Sequence, residues 1–129
     1  MTIREMQKRA FQTGKEKGFF KEGEPVNIDQ KLLLTVGELV EAQNELRNGM
    51  PPEAVYFHNF EQHGETLVFD HAPAFENVPA KPEGFGVELA DAVIRIADLC
   101  EALGLDLEAL IQLKMRYNAT RPYKHGKQF

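Results

Sequence analysis

The sequence predicts an all-α protein, a four-helix bundle with a possible small β-hairpin insert around 55–70. Apolar residues recur at helical spacing in four segments, and good N-cap residues begin three of them. A stretch rich in prolines and aromatic residues, at about 50–85, separates the second segment from the third. The length of 129 residues fits one domain that spans 1–129 and includes this insert.

The first helix is predicted to begin at Thr2. Thr2 and Glu5 form a T-x-x-E capping box, in which the two residues satisfy backbone N–H groups at the helix start. The apolar residues that follow at helical spacing are Ile3, Met6, Ala10 and Phe11. Gly14 and Gly18 weaken the pattern, so the helix is expected to end in that region.

The second helix is predicted from near Asn27 to near Gly49. Asn27 is a good N-cap residue, and Gln30 follows three positions later. Pro51 and Pro52 lie beyond Gly49 and cannot continue a helix. This segment therefore has both a start and a stop signal.

Two further helices are predicted after the insert. The third runs from near Gly86 to near Gly104. The fourth begins near Asp106, a suitable N-cap residue, and ends before Pro122.

The insert itself is predicted to form a β-hairpin. Val55–Phe60 and Thr66–Asp70 are rich in β-forming residues, and the EQHGE segment between them can turn. The insert also carries three histidines, His58, His63 and His71. Zinc binding by these histidines is a minor alternative.

Composition excludes several classes of function. The net charge is −5 and no long basic run is present, so no nucleic-acid polymer is expected as a partner. No apolar run approaches the roughly 20 residues that span a bilayer, and the N-terminus lacks a signal-peptide core. The single cysteine, Cys100, excludes an intrachain disulfide and is expected to pack in the core. A cytoplasmic protein without membrane contact is therefore expected.

Acidic residues form a narrow stripe on each of two predicted helices. On the second helix Glu38 and Glu41 are three residues apart, and Glu45 extends the same stripe. On the third helix Glu88 and Asp91 have the same spacing. The apolar faces of both helices are wider than those of ordinary surface helices. We therefore expect them at the centre of a bundle or in an oligomer interface, with the acidic stripes facing each other.

Four carboxylates brought together repel one another unless they are protonated or neutralised by cations. A hard divalent cation with oxygen ligands resolves this conflict. Because no histidine or cysteine accompanies these acids, Mg²⁺ or Mn²⁺ is favoured over Zn²⁺. The ordinary alternative is that both stripes are simply solvated helix faces.

The fourth helix and the residues after it carry a basic, polar face. Lys114, Asn118 and Arg121 follow at spacings of four and three, and Lys124 lies in the RPYKHGK tail. Such residues are suited to contact phosphate oxygens. Basic residues near a helix C-terminus are also favoured by the helix dipole alone, so a purely structural role stays open.

Three segments, taken in order, are similar to a known family. They are GELVEA at 37–42, GFGVELADAVIRIADL at 84–99 and KMRYNATRPYKHGK at 114–127. The chain resembles the MazG-like group of all-α nucleoside-triphosphate pyrophosphohydrolases over roughly 27–49 and 82–127. The hallmark of that group is E-x-x-E on one helix and E-x-x-D on the next.

The resemblance implies a four-helix bundle that works as a homodimer or homotetramer. It also implies hydrolysis of a nucleoside triphosphate between the α and β phosphates. The residues that match the hallmark, and would bind Mg²⁺ and carry catalysis, are Glu38, Glu41, Glu88 and Asp91. Lys114 and Asn118 match positions that contact nucleotide in relatives, and Arg121 and Lys124 are further candidates.

One position departs from the family pattern. Many relatives carry an extra acidic residue three positions before the one that matches Glu38, and this chain has Thr35 there. Two alternatives to the enzyme therefore stay open. One is a catalytically silent bundle that senses nucleotide or binds a protein, and the other is a structural helical oligomer.

Overall fold

The computed structural model describes residues 1–57, 74–75 and 78–129. The fold is mostly helical, as predicted, with small antiparallel strand pairs. The helices of the described residues are α1 (Ile3–Glu16), α2 (Ile28–Arg47), α3 (Phe85–Ala102) and α4 (Leu107–Thr120), followed by a 3₁₀ turn at Tyr123–Gly126. The strands of these residues are β1 (Tyr56–Phe57), β2 (Ala74–Phe75), β3 (Val78–Pro79) and β4 (Pro82–Glu83).

The helix starts follow the local capping signals of the sequence. At α1 the predicted capping box forms: the Glu5 carboxylate accepts from the Thr2 N–H at 2.7 Å, and the Thr2 hydroxyl accepts from the Glu5 N–H at 3.0 Å. The side chains of Asn27 and Asp106 each accept from the backbone N–H three residues on, at 3.1 and 3.0 Å. Capping therefore fixes where α1, α2 and α4 begin.

Two antiparallel strand pairs lie in the region of the predicted insert. The predicted strand Val55–Phe60 overlaps β1, but β1 pairs antiparallel with β4, which lies directly before α3. The predicted partner, Thr66–Asp70, and the three histidines of the insert lie outside the described residues. A second antiparallel pair joins β2 to β3. The described part of β1 thus pairs with a strand that the sequence pattern did not indicate.

Gly84 connects the β1–β4 pair to α3. Its φ is +134°, and a Cβ added there would lie 2.3 Å from the carbonyl oxygen of Ala54. The Gly84 carbonyl accepts from the Glu88 N–H at 3.0 Å, as the first turn of α3 forms. Only glycine fits this backbone conformation and this close approach.

The chain divides into two compact units. The terminal unit comprises residues 1–26 and 97–129, and the central unit comprises residues 27–96. In the terminal unit α1 contacts the start of α4. There the buried Gln7 donates to the carbonyl of Leu105 at 2.6 Å and accepts from the N–H of Leu107 at 3.1 Å.

The central unit buries small residues and leaves large ones exposed. Its buried apolar residues are Ala42, Ala54, Ala80 and Ala92. On α2 the exposed large apolar residues are Ile28, Leu32, Leu33, Leu34, Val36, Leu39, Val40 and Leu46. Leu33, for example, retains 71% of its accessible surface. Among the described residues, nothing buries this face of α2.

Two further predictions concern the membrane and Cys100. Within the described residues, no helix combines the length and the apolar character needed to cross a membrane. Cys100 carries a free thiol and is partly buried. Burial raises the pKa of this thiol, and the charge of Asp98 adds to the effect. The thiol therefore stays protonated, as suits a packing role rather than a nucleophile.

Candidate metal centre

Three carboxylates from two helices converge in the central unit. Glu38 projects from α2, and Glu88 and Asp91 lie one turn apart on α3. One carboxylate oxygen from each lies within 4.8 Å of the others. Glu38 and Glu88 are only 8% and 6% exposed, and Asp91 is less buried. The i, i+3 spacing on α3 therefore presents two acids to a third one on α2.

Glu41 joins this group through Glu88. Glu41 is exposed on α2, one turn after Glu38, and its side chain shares a hydrogen bond with the Glu88 carboxyl group. Two carboxyl groups form a hydrogen bond only if one of them is protonated. Glu38, Glu41, Glu88 and Asp91 together are called the acidic cluster below.

Burial and neighbouring negative charge raise the pKa values of two members of the acidic cluster, Glu88 and Asp91. Burial raises the pKa of Glu88 to about 7, and the hydrogen bond and charge of Glu41 and the charge of Asp91 add to this. Burial and the charge of Glu38 also raise the pKa of Asp91, although Arg95 opposes the rise. Both shifts have the causes expected when like charges are held together away from water.

Arg95 provides positive charge at the edge of the acidic cluster. Its side chain lies one turn after Asp91 on α3, and its Nε donates to the carboxylate of Glu38 on α2. This charge-assisted hydrogen bond links the two helices that carry the cluster. The guanidinium of Arg95 and the ammonium of Lys81, which both oppose the rise in the pKa of Asp91, carry less positive charge than four ionised carboxylates would need for balance.

A second group of carboxylates continues from Glu88. Oxygens of Glu45, Glu83 and Glu88 also lie within 4.8 Å of one another. The Tyr56 hydroxyl donates to Oε1 of Glu45 at 2.7 Å. Burial raises the pKa of Tyr56, and the hydrogen bond to Glu45 raises it further, so the phenol stays protonated. Lys81 forms an exposed ion pair with Glu83 at 3.0 Å.

The sequence did not indicate two of these residues. Tyr56 and Glu83 face each other across the β1–β4 pair, and that pairing brings both of them to the carboxylates of α2 and α3. Neither belongs to a helical stripe, so periodicity could not assign them. The proximity of Glu83 to Glu88 in sequence was the one available signal.

The predicted phosphate-binding residues belong to the terminal unit. Lys114 and Asn118 are exposed on α4, Arg121 follows the last turn, and Lys124 lies in the 3₁₀ turn. The Lys114 ammonium and the Arg121 guanidinium lie 5.1 and 5.6 Å from the ring centroid of Tyr117. Both cations thus flank one aromatic ring, as their predicted common face requires.

Thr35 occupies the position at which the family pattern often has a further acid. Its hydroxyl donates to the carbonyl oxygen of Lys31 at 3.0 Å, one turn back on α2. This hydrogen bond satisfies the hydroxyl within the helix. Thr35 therefore replaces a potential anionic ligand with a neutral group that is already bonded.

Comparisons of the chain with protein-family models, with curated proteins and with solved structures find no match. The acidic cluster, with its surroundings and the motif resemblance, is therefore the feature of the molecule that bears on function.

Proposed function

We propose that the protein is an Mg²⁺-dependent nucleoside-triphosphate pyrophosphohydrolase of the MazG-like type. The observation that carries the proposal is the acidic cluster. Its members are the four residues that match the family hallmark, and they lie together on two helices. The positive charge beside them is too small to balance four carboxylates. Solvated helix faces would leave these acids apart and ionised, whereas burial and mutual repulsion raise the pKa of Glu88 to about 7.

The donor set fits Mg²⁺. Glu38, Glu88 and Asp91 offer only carboxylate oxygens, which are the ligands that Mg²⁺ and Mn²⁺ prefer. Glu41 lies beside Glu88 and supplies a fourth carboxylate. A bound dication would replace the proton of the Glu88 carboxyl group as the source of positive charge.

The proposed reaction is hydrolysis of the bond between the α-phosphorus and the oxygen that bridges to the β-phosphate. A water oxygen bonds to the α-phosphorus, the bridging oxygen leaves with pyrophosphate, and a carboxylate near the water accepts its proton. Bound Mg²⁺ would supply charge neutralisation of the triphosphate and a lower pKa for the water. The candidates for phosphate and nucleotide contacts remain Lys114, Asn118, Arg121 and Lys124.

The reaction is tested by measuring pyrophosphate release from a panel of NTPs, dNTPs and modified nucleotides, with Mg²⁺ or with EDTA. We expect release that requires Mg²⁺, together with a nucleoside monophosphate product. Glu41→Gln should abolish turnover and leave the fold intact. Glu108→Gln, which removes an acid from the terminal unit, is the matched control and should keep turnover. Full turnover in Glu41→Gln would contradict the proposed site.

A catalytically silent nucleotide-sensing protein is the second candidate. Thr35 favours it, because a neutral hydroxyl bonded to Lys31 replaces an acid that many similar proteins have. Such a protein would bind Mg²⁺-nucleotide in calorimetry without releasing pyrophosphate. Release of pyrophosphate by the wild type therefore excludes this candidate.

We further infer that the chain assembles as a homodimer or homotetramer through the apolar face of α2. Monomeric proteins rarely expose apolar patches this continuous, and Leu33, Val36 and Leu32 retain 71%, 53% and 52% of their surface. Light scattering at micromolar concentration should give an oligomer. Leu33→Glu should dissociate it, whereas Gln30→Glu on the same helix should not. A wild-type monomer would contradict this inference.

A further inference from the structure

The insert reaches the carboxylates of the helices through Tyr56. β1 places Tyr56 opposite Glu83 of β4, and the Tyr56 hydroxyl bonds to Glu45 on α2 at 2.7 Å. Glu45 in turn lies within 4.8 Å of Glu88, measured between carboxylate oxygens. The hydroxyl thus joins a residue of the insert to a carboxylate beside the acidic cluster.

We propose that Tyr56 is a positioning residue that holds the Glu45 carboxylate beside Glu88, so that the insert orients part of the site. The inference rests on the proposed function, because the effect of Tyr56 is expected on cation binding and turnover. Glu45 extends the acidic stripe of α2, and its charge there would favour a cation bound by Glu88.

The electrostatics explain why Glu45 needs such a partner. Glu83 and Glu88 repel the Glu45 carboxylate, and a glutamate side chain is free to rotate away from like charges. A neutral hydroxyl donor stabilises the carboxylate and fixes its orientation. The high pKa of Tyr56, which results from burial and from the neighbouring glutamates, keeps the proton on this donor.

The backbone around Tyr56 holds the hydroxyl in place. β1 pairs with β4, and the segment before β1 approaches Gly84 closely. A Cβ at position 84 would lie only 2.3 Å from the Ala54 carbonyl oxygen, so glycine permits this approach. The backbone that carries Tyr56 is therefore held by main-chain contacts that Tyr56→Phe leaves intact. This variant removes the hydroxyl and little else.

The test is a double-mutant cycle with Tyr56→Phe, Glu45→Gln and the double variant. We expect Tyr56→Phe to lower kcat about tenfold, as loss of a hydrogen-bond partner of a site carboxylate typically does, with little change in KM. Because Tyr56 acts through the charge of Glu45, the double variant should be no slower than Glu45→Gln alone. Independent, additive effects, or an unchanged kcat in Tyr56→Phe, would overturn the proposal.

Binding of Mn²⁺ to the nucleotide-free protein gives a second readout, which does not depend on turnover. Tyr56→Phe and Glu45→Gln should each weaken Mn²⁺ binding, and the double variant should bind Mn²⁺ no more weakly than Glu45→Gln alone. Glu53 is an exposed acid before β1, and Glu53→Gln should leave Mn²⁺ binding unchanged. If the wild type binds Mn²⁺ but releases no pyrophosphate, the proposed function fails. The Mn²⁺ affinities of the two single variants and the double variant still decide the role of Tyr56. If the wild type is active and both cycles are additive, only the role of Tyr56 fails.

Discussion

Glu101 and Asp106 of the terminal unit each accept from a donor, whereas Glu88 of the central unit lies against other carboxyl groups. In the terminal unit Glu101 accepts from the buried Gln7 at 2.7 Å, and Asp106 both caps α4 and pairs with Arg4 at 3.0 Å. In the central unit Glu88 shares a hydrogen bond with another carboxyl group and is surrounded by further carboxylates. The buried Glu38 of the central unit accepts from Arg95, but the partners described above for the buried Glu88 are carboxyl groups.

This difference distinguishes structural acids from candidate functional ones. An acid that accepts from N–H groups stabilises the fold as it stands. Acids held against one another destabilise the fold until a proton or a cation is added. The number of acids and their helical spacing do not distinguish a structural acid from a candidate functional one. The identity of the group that each acid contacts does distinguish them.

The largest effect is expected at the centre of the acidic cluster. Glu88→Gln should lower turnover by at least about a hundredfold, since even the outer partners of metal ligands cost up to that factor. The same change removes a repelled charge, so it should raise the melting temperature of the metal-free protein above pH 7. Steady-state kinetics and thermal unfolding in EDTA measure the two effects.

The matched control for Glu88→Gln is Glu101→Gln in the terminal unit. Its side chain can still accept from Gln7, so turnover and stability should change little. Equal losses of turnover in the two variants would remove the distinction between the units.

Gly84→Ala should cause the next largest change. A Cβ would meet the Ala54 carbonyl at 2.3 Å, and a φ of +134° is strained for alanine, so the free energy of unfolding should fall by about 2 kcal/mol or more. Denaturant unfolding measures this change. Gly86→Ala, where an added Cβ meets nothing within 4 Å, should be neutral or slightly stabilising. Equal stability of the two variants would show that Gly84 is not required.

Gln7→Leu should destabilise the terminal unit without affecting cation binding. It removes the partner of the Leu105 carbonyl and of the Leu107 N–H, two hydrogen bonds that are partly buried, which costs about 1–3 kcal/mol. Denaturant unfolding should show the loss, and the affinity for Mn²⁺ in calorimetry should remain that of the wild type. A weaker Mn²⁺ affinity in this variant would mean that the terminal unit contributes to the site.

The pH dependence of stability should reveal Glu88. Its pKa in the folded protein is about 7, above the ordinary value of 4.5, so the folded state binds the proton more tightly than the unfolded state. The stability that protonation of Glu88 contributes is fully present below about pH 4.5 and is lost as the pH rises to about 7. Melting temperatures of wild type and Glu88→Gln in EDTA should therefore diverge over this range, with the variant favoured at high pH. A constant difference would contradict the raised pKa.

The smallest effect is expected at the surface of the terminal unit. The Arg4–Asp106 pair spans 3.0 Å, but both side chains are about half exposed, so Arg4→Ala should cost less than about 1 kcal/mol. Chemical denaturation measures the loss. A loss larger than that of Gln7→Leu would show that exposed ion pairs, rather than buried hydrogen bonds, hold α1 to α4.

Local signals in the sequence predicted the features that depend on local geometry. Capping by Thr2, Asn27 and Asp106 and the i, i+3 spacing of Glu88 and Asp91 act within one turn of helix. Helical periodicity therefore located the helices and the acids of the cluster.

Apart from the approach of the two acidic stripes, contacts between residues far apart in sequence were not predicted. The Arg95–Glu38 ion pair, the Tyr56–Glu45 hydrogen bond and the pairing of Tyr56 with Glu83 join separate elements. The pairing of β1 with β4 was not predicted for the same reason, because β-forming composition does not say which segment pairs with which.

Thermal unfolding with and without Mg²⁺ at constant ionic strength and pH 8 tests the central claim most directly, namely that the acidic cluster binds a divalent cation. Ligand that binds only the folded state must raise the melting temperature. We predict that millimolar Mg²⁺ stabilises the wild type and Glu101→Gln, and that it has no effect on Glu88→Gln. An unchanged wild-type melting temperature, or an equal rise in Glu88→Gln, would contradict a cation site in the acidic cluster.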